Sequence, residues 1–396
     1  MIWTPLPGPV TDLELYSGVA KKSGFDKASK MQESYLAKQY TVKLIGGGPN
    51  MKTKLLWVVA LYSLIFAIST PSRAAQDSPL ASLYKAAKAE GELTVWSPTE
   101  PEDMKILSTE FNKDFPGIKV NFFEIRETDY VPRVVAESMR GVIGLDVGTS
   151  KFVVIHPMLE RDLIQSYTDW SKVFKDLSPA AVTKDGKFLA NDDYAFVVAY
   201  NTQLIKSSEV PTSWDELLAP KWKGKILVEP RANAFAYLGL KWGRDKTVDY
   251  VNKLKAQNPT FVKGGTALTQ QLAAGAGHLG IGGYAYKIES MKKDGAPVDW
   301  AKKISPIGVM AQALFVTKGG RHPNAGKLFA GWWASAKGQN IMVHHMLRGA
   351  LNPGSSYFIM QEFEKNRVEL AKETLDNSKE AATYNEIAAK TLGTFQ

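Results

Sequence analysis

Hydroxyl-bearing pairs close several apolar runs in this chain, and such pairs suit an oxygen-rich anion. Ser97 and Thr99 follow Leu93-Thr94-Val95-Trp96, while Thr149 and Ser150 follow Leu145-Asp146-Val147. Open α/β sheets place their ligands at strand ends of this kind. Arg231 and Asn233 come after Lys225-Ile226-Leu227-Val228 and open a helical pattern, where free N–H groups point outward toward an anion. Gly264-Gly265-Thr266 can bring backbone amides close to a ligand in the same manner. Tyr284 offers an aromatic wall, with Tyr286 two residues on. Arg126 and Arg133 flank a helix within reach of an anion, although such residues are ordinarily solvated.

Other chemistries find less support. The chain has no cysteine, which excludes disulfides, thiolate metal sites, a cysteine nucleophile and a lipid-attached N-terminal cysteine. His344 and His345 are neighbours, so on a helix they point about 100° apart, and no spaced carboxylate accompanies them. Gly275-x-Gly277 and Gly280-x-Gly282-Gly283 lack the Lys-Ser/Thr of a phosphate-cradling loop. There is no Gly-x-Ser-x-Gly elbow and no His-Glu-x-x-His, so the chain reads as a non-enzyme that needs no cofactor and no metal. Trp332 and Trp333 read as packing.

The elements that position these residues follow from pattern. Hydrophobic residues make up 44% and charged residues 22% of 396, a folded composition with room for two lobes. The formal charge of +9 divides unevenly: residues 1–74 hold 9 Lys/Arg and 4 Asp/Glu, leaving 40 and 36 in the rest. Those remaining basic residues are scattered among acids, which argues against nucleic-acid binding. Met51-Lys52-Thr53-Lys54, the apolar run Leu55 to Ile68 and the small-x-small site before Ala75 have the order of a secretory signal peptide. That apolar run is short of the ~20 residues a bilayer span needs. Residues 51–74 are therefore expected to direct export, and residues 1–50 to be a non-native or mis-started extension.

Thr99 and Glu102 have capping-box spacing, with Pro101 in the first turn and Met104, Leu107, Phe111 and Phe115 as a core-facing stripe. Strands are expected at Leu93–Trp96, Ile118–Phe122 and Gly144–Gly148, with a helix from Asp129 to Arg140 between the last two. This alternation argues for a parallel sheet with right-handed crossovers. Further strands are expected at 194–200, 225–228 and 307–317. Helices are expected at 214–218, 233–242, 268–274, 325–335 and from Ser356 onward.

The order of these motifs resembles the ferric-iron-type periplasmic binding proteins of ABC transporters. Carrying the resemblance are Leu93 to Ser97, Phe115-Pro116-Gly117-Ile118-Lys119-Val120, Leu145 to Val147, and Tyr200-Asn201-Thr202. Val210-Pro211-Thr212-Ser213-Trp214-Asp215-Glu216-Leu217, Trp222-Lys223-Gly224-Lys225-Ile226, and Ala325 to Phe329 with Gly331-Trp332-Trp333 complete it. The resemblance implies a two-lobed type II α/β fold, each lobe a mostly parallel sheet flanked by helices, joined by two crossing strands near 194–200 and 307–317. It places lobe 1 at 75–195 with 308–355 and lobe 2 at 196–307 with 356–396. It implies a soluble, monomeric periplasmic protein that captures a small ligand in the interlobe cleft and delivers it to an inner-membrane permease. In that cleft the expected ligand residues are Ser97, Thr99, Thr149, Ser150, Arg231, Asn233, Thr266, Tyr284 and Tyr286. Iron-binding members use a histidine after the first strand, an acid after the third and two adjacent tyrosines. This chain has hydroxyls at the first two places and a split pair, Tyr284-Ala285-Tyr286. A small organic or phosphorylated anion is the expected ligand, ferric iron on Tyr284 and Tyr286 the alternative. An exported enzyme or a ligand sensor using the same cleft is the alternative of another class.

Overall fold

Leu93 and Val95 point to one side of a strand and Trp96 to the other, and all three are buried. A strand covered on both faces needs such an apolar run, and a parallel sheet under helices supplies the cover. The computed structural model describes residues 78–394, all within one compact unit of the chain; the proposed export segment 51–74 and the extension 1–50 lie outside the described residues. After α1 (Pro79–Glu90) come β1 (Glu92–Ser97), α2 (Pro101–Asp114), β2 (Lys119–Glu124), α3 (Glu127–Ser138) and β3 (Val147–Lys151). β1 lies parallel to both β2 and β3. Met104, Leu107, Phe111 and Phe115 are all buried, as their spacing requires.

Two local expectations fail here. The N-cap of α2 is Glu100, which makes no side-chain cap bond; the Thr99 hydroxyl instead sits 2.8 Å from Ser97 Oγ. β3 also starts three residues later than its sequence suggests. Just before it, the Asp146 carboxylate accepts the Thr94 amide at 2.8 Å and the His322 amide at 2.8 Å. Thr149 and Ser150 belong to the strand and do not follow it.

Then come α4 (Phe152–Glu160), the single turn α5 (Trp170–Val173) and the long β4 (Phe188–Asn201). β5 (Ile226–Val228), α6 (Asn233–Ala256), β6 (Thr260–Phe261), α7 (Gly265–Ala273), β7 (Leu279–Tyr284), α8 (Ala285–Lys293) and β8 (Val298–Trp300) build the second half. β9 (Ile307–Val316) returns, followed by α9 (Pro323–Ala334), α10 (Ala336–Met346), α11 (Phe358–Lys365), β10 (Leu370–Lys372) and α12 (Ser378–Leu392). The stretch after Ser356 is thus two helices and a strand rather than one helix. Arg367, at φ 55°, turns the chain away from helix, and Leu370–Lys372 then pairs with β9. Asp215–Leu218 is a 3-10 turn, because Ala219 precedes Pro220 and is forced extended.

β4 and β9 are the axis of the fold. They pair antiparallel from Phe188↔Phe315 to Phe196↔Gly308, with a bulge between Ala190 and Asp192. One end of β9 meets β3 and one end of β4 meets β7, in both cases antiparallel. The strand order is β2-β1-β3-β9-β4-β7-β5-β6, with β10 on β9 and β8 on β4. Beside β4 and β9 the sheet is thus two parallel segments. The first carries a core on each face, one around Phe111, Phe329 and Trp333 and one around Trp96, Tyr130 and Phe315. The second packs around Phe196, Trp214, Phe235, Leu279 and Trp300. The result is the mixed α/β, two-lobed type II architecture.

Candidate solute site at the lobe junction

In the first lobe the hydroxyls converge. Ser97 ends β1 and Thr149 lies beside it on β3, Oγ to Oγ1 at 2.7 Å, with Thr99 Oγ1 on the other side of Ser97 Oγ. The Thr99 amide also donates to Ser97 Oγ at 3.2 Å. All three residues are buried. Ser150 does not join them: side chains alternate along a strand, and its hydroxyl donates to Lys151 O at 3.1 Å. Tyr130 fixes this strand by donating its hydroxyl to Thr149 O.

In the second lobe the tyrosines converge. Two residues along a helix would turn the rings about 200° apart, but Tyr284 is still extended at φ −84°, ψ 126°, and α8 begins only after it. The junction lays the two rings face to face, centroids 6.0 Å apart and planes within 17°. Tyr194 of β4 meets both edge-on at 5.5 and 5.7 Å. Burial pushes the Tyr286 hydroxyl well above its ordinary pKa of 10.0. Gly265, at the start of α7, lies under this stack, and Thr266 follows it half-buried.

Against the tyrosines, and tied to Glu100 next to Thr99, stands Arg348, which no local motif announces. It is 7% exposed and its guanidinium lies 5.4 Å from the Tyr194 ring centre and 5.5 Å from that of Tyr286. Nε donates to Asp192 Oδ2 at 2.8 Å, Nη1 to Glu100 Oε2 at 2.9 Å and Nη2 to the Tyr194 hydroxyl at 2.6 Å. Asp103 lies 3.6 Å from Nη1. Burial raises the Asp192 pKa, with Arg348 pulling against it. A sequence scan misses this centre because its members come from the start of α2, from β4, from α8 and from the α10–α11 loop.

The remaining expected residues lie elsewhere or are engaged. Arg231 Nε donates to the buried Glu229 carboxylate at 2.6 Å, and its guanidinium reaches the Tyr284 hydroxyl. Asn233 Oδ1 accepts from Asn385 of α12 at 3.3 Å. Arg126 pairs with Asp129, and Arg133 with Glu137 while covering the Trp96 ring at 4.4 Å. His344 and His345 are exposed, and among the described residues no three His, Cys, Asp or Glu side chains are grouped to hold a metal. Trp332 and Trp333 are buried, their indoles donating to Asp114 and Met342 Sδ.

Residues 107–366 match the family model described as bacterial extracellular solute-binding protein. The chain belongs to that family. This solute-binding protein is 28% identical over 139 residues to an uncharacterised protein of Haemophilus influenzae, a match spanning 34% of the chain and 40% of that relative's length. Among solved structures it is similar to an ABC transporter substrate-binding protein from Bradyrhizobium japonicum, with TM-score 0.63 and 16% identity over 76% of this chain and 99% of that one. It is also similar to the Trichodesmium protein IdiA (FutA), solved with iron and citrate, with TM-score 0.61 and 17% identity over 76% and 99%. Among the described residues no helix is long and apolar enough to cross a membrane.

Proposed function

We propose that this solute-binding protein works as a monomer in the periplasm, reached by way of the 51–74 segment. There it captures a small organic or phosphorylated anion between lobe 1 (75–195 with 308–355) and lobe 2 (196–307 with 356–396). Closure on the solute would present it to an ABC permease of the inner membrane, with no chemical step and no nucleic acid. The observation that carries this reading is Arg348, which is bonded to Glu100, the residue after Thr99 of the hydroxyl cluster. Its buried partner Asp192 is fixed, whereas Glu100 is 60% exposed at the side chain. Glu100 can swing into solvent while Arg348 stays buried, so a solute carboxylate or phosphate can take its place. Ser97, Thr99 and Thr149 add hydroxyls to its other oxygens. Arg231 and Thr266 extend the site on the far lobe, with Tyr284 and Tyr286 as its wall.

One observation favours ferric iron instead: Tyr284 and Tyr286 stand side by side. Against it, the Arg348 guanidinium stands next to them, and the positions after β1 and on β3 carry hydroxyls in place of a histidine and a carboxylate. A thermal-shift screen of the ligand-free protein against carboxylates, phosphorylated small molecules, amino acids and ferric citrate tests both. A solute at a hundred times its dissociation constant should stabilise the fold by about 2.7 kcal/mol. A shift with an organic anion, recovered chemically unchanged, supports capture of that class. A shift with ferric iron alone, accompanied by a tyrosinate absorption band, overturns the anion reading.

A further inference from the structure

Two hydrogen-bond acceptors at the lobe junction have no donor. Asp192 is 1% exposed; its Oδ2 takes Arg348, while Oδ1 is buried and unpaired. Gln312 is 6% exposed and its Oε1 is likewise buried and unpaired. The two residues are register partners across β4 and β9, so their side chains leave the same face of the sheet about 5 Å apart. β3 continues that face, because Thr149 pairs with Leu314 and Lys151 with Gln312. The orphan acceptors therefore share a face with the hydroxyl cluster.

The charges point the same way. Arg348 faces Glu100, Asp103 and Asp192, three carboxylates around one guanidinium. An anion that takes the place of Glu100 still faces the Asp103 and Asp192 carboxylates around the same guanidinium. A solute that brings its own cation offsets them. The tyrosine faces around Arg348 also favour a cation.

Building on the anion-capture reading above, we infer that the solute is a zwitterion. Its carboxylate or phosphate end takes Arg348 and the hydroxyls, and its ammonium donates to Asp192 Oδ1 and Gln312 Oε1 when the lobes part to admit it. Buried acceptors that lack donors are costly to the protein alone and are satisfied by a ligand that supplies N–H groups. Specificity follows, since a solute without the ammonium leaves both acceptors unpaired.

Titration calorimetry on the full chain tests this with matched probes: β-alanine, 4-aminobutyrate and 5-aminopentanoate, each beside the carboxylate and the amine of the same length. At least one amino acid should bind about tenfold or more tighter than both its partners. A carboxylate equal to its amino counterpart overturns the zwitterion while leaving anion capture standing, and binding of none of the probes also counts against it. Failure of every anion in the broader screen would instead bring down the capture reading itself. Gln312→Leu gives an independent arm. If Oε1 serves the solute, the ligand-free melting temperature should hold or rise, and the amino acid should weaken to the level of the carboxylate. A lower melting temperature assigns Gln312 to structure and overturns the inference.

Discussion

Arg348 and Asp192 stand 156 positions apart in the chain and meet at the lobe junction, Nε to Oδ2 at 2.8 Å. Both are almost wholly buried, so neither charge is sustained by water. The pair is placed by the bulge that precedes Asp192 in β4 and by the left-handed Leu347, φ 55°, that precedes Arg348.

Arg348→Met should leave the Asp192 carboxylate buried without a counter-ion and cost about 3–5 kcal/mol. Asp192→Asn in the same background should recover most of that loss. Chemical denaturation of the two variants measures it; a loss within about 1 kcal/mol for Arg348→Met would mean that the pair is not a structural charge couple.

Stability should fall as pH rises through neutrality, in part because of Glu373. Burial pushes its carboxyl from 4.5 up to about 7, against the pull of the Tyr237 hydroxyl, Lys151 and the amides of Ala311 and Val153. The folded chain then holds a proton that the unfolded chain releases from pH 4.5 upward. This contribution is full below 4.5 and is lost as pH rises through about 7. The folding constant should change by at most about tenfold per pH unit. Glu373→Gln should flatten the profile between about pH 5 and pH 8 relative to the unaltered protein. Asp103 and Asp192 are also raised by burial and are unchanged in that comparison.

A methyl group at Gly265 would stand 2.9 Å from both the Gly282 carbonyl oxygen and the Tyr284 ring. Gly265→Ala should therefore displace Tyr284 and cost about 1–3 kcal/mol. Melting temperature and solute affinity should fall together; an unchanged affinity would remove Tyr284 from the site.

Thr149→Val keeps the volume of the side chain and removes one hydroxyl of the cluster. Ser97 retains Thr99 as its partner, so stability should move by no more than about 1 kcal/mol. Affinity for the solute should drop about tenfold, as expected for one lost hydrogen bond to a charged group. Calorimetry with the solute found in the screen decides it.

The sheet was legible because two-sided burial demands continuous apolar runs, and Leu93–Trp96, Tyr194–Tyr200 and Ile307–Val316 supply them. The stripe from Met104 to Phe115 was legible for the corresponding helical reason. Short or polar elements were not. Leu370–Lys372 becomes a strand only because β9 presents a free edge there, and Thr99 leaves its capping position because Ser97 and Thr149 offer a buried partnership. The stacking of the tyrosine pair was not legible, because it turns on whether Tyr284 is extended or the first residue of α8. One extended residue at its start stacks the rings.

By itself the sequence determined the two-lobed α/β fold and the solute-binding family, because hydrophobic periodicity and the 200–226 motifs are local properties of the chain. Only the tertiary structure decided the charged centre of the junction. Arg348, Asp192 and Gln312 lie on separate elements, and their charges and unpaired acceptors acquire meaning when the fold buries them and the β4–β9 register sets Asp192 beside Gln312.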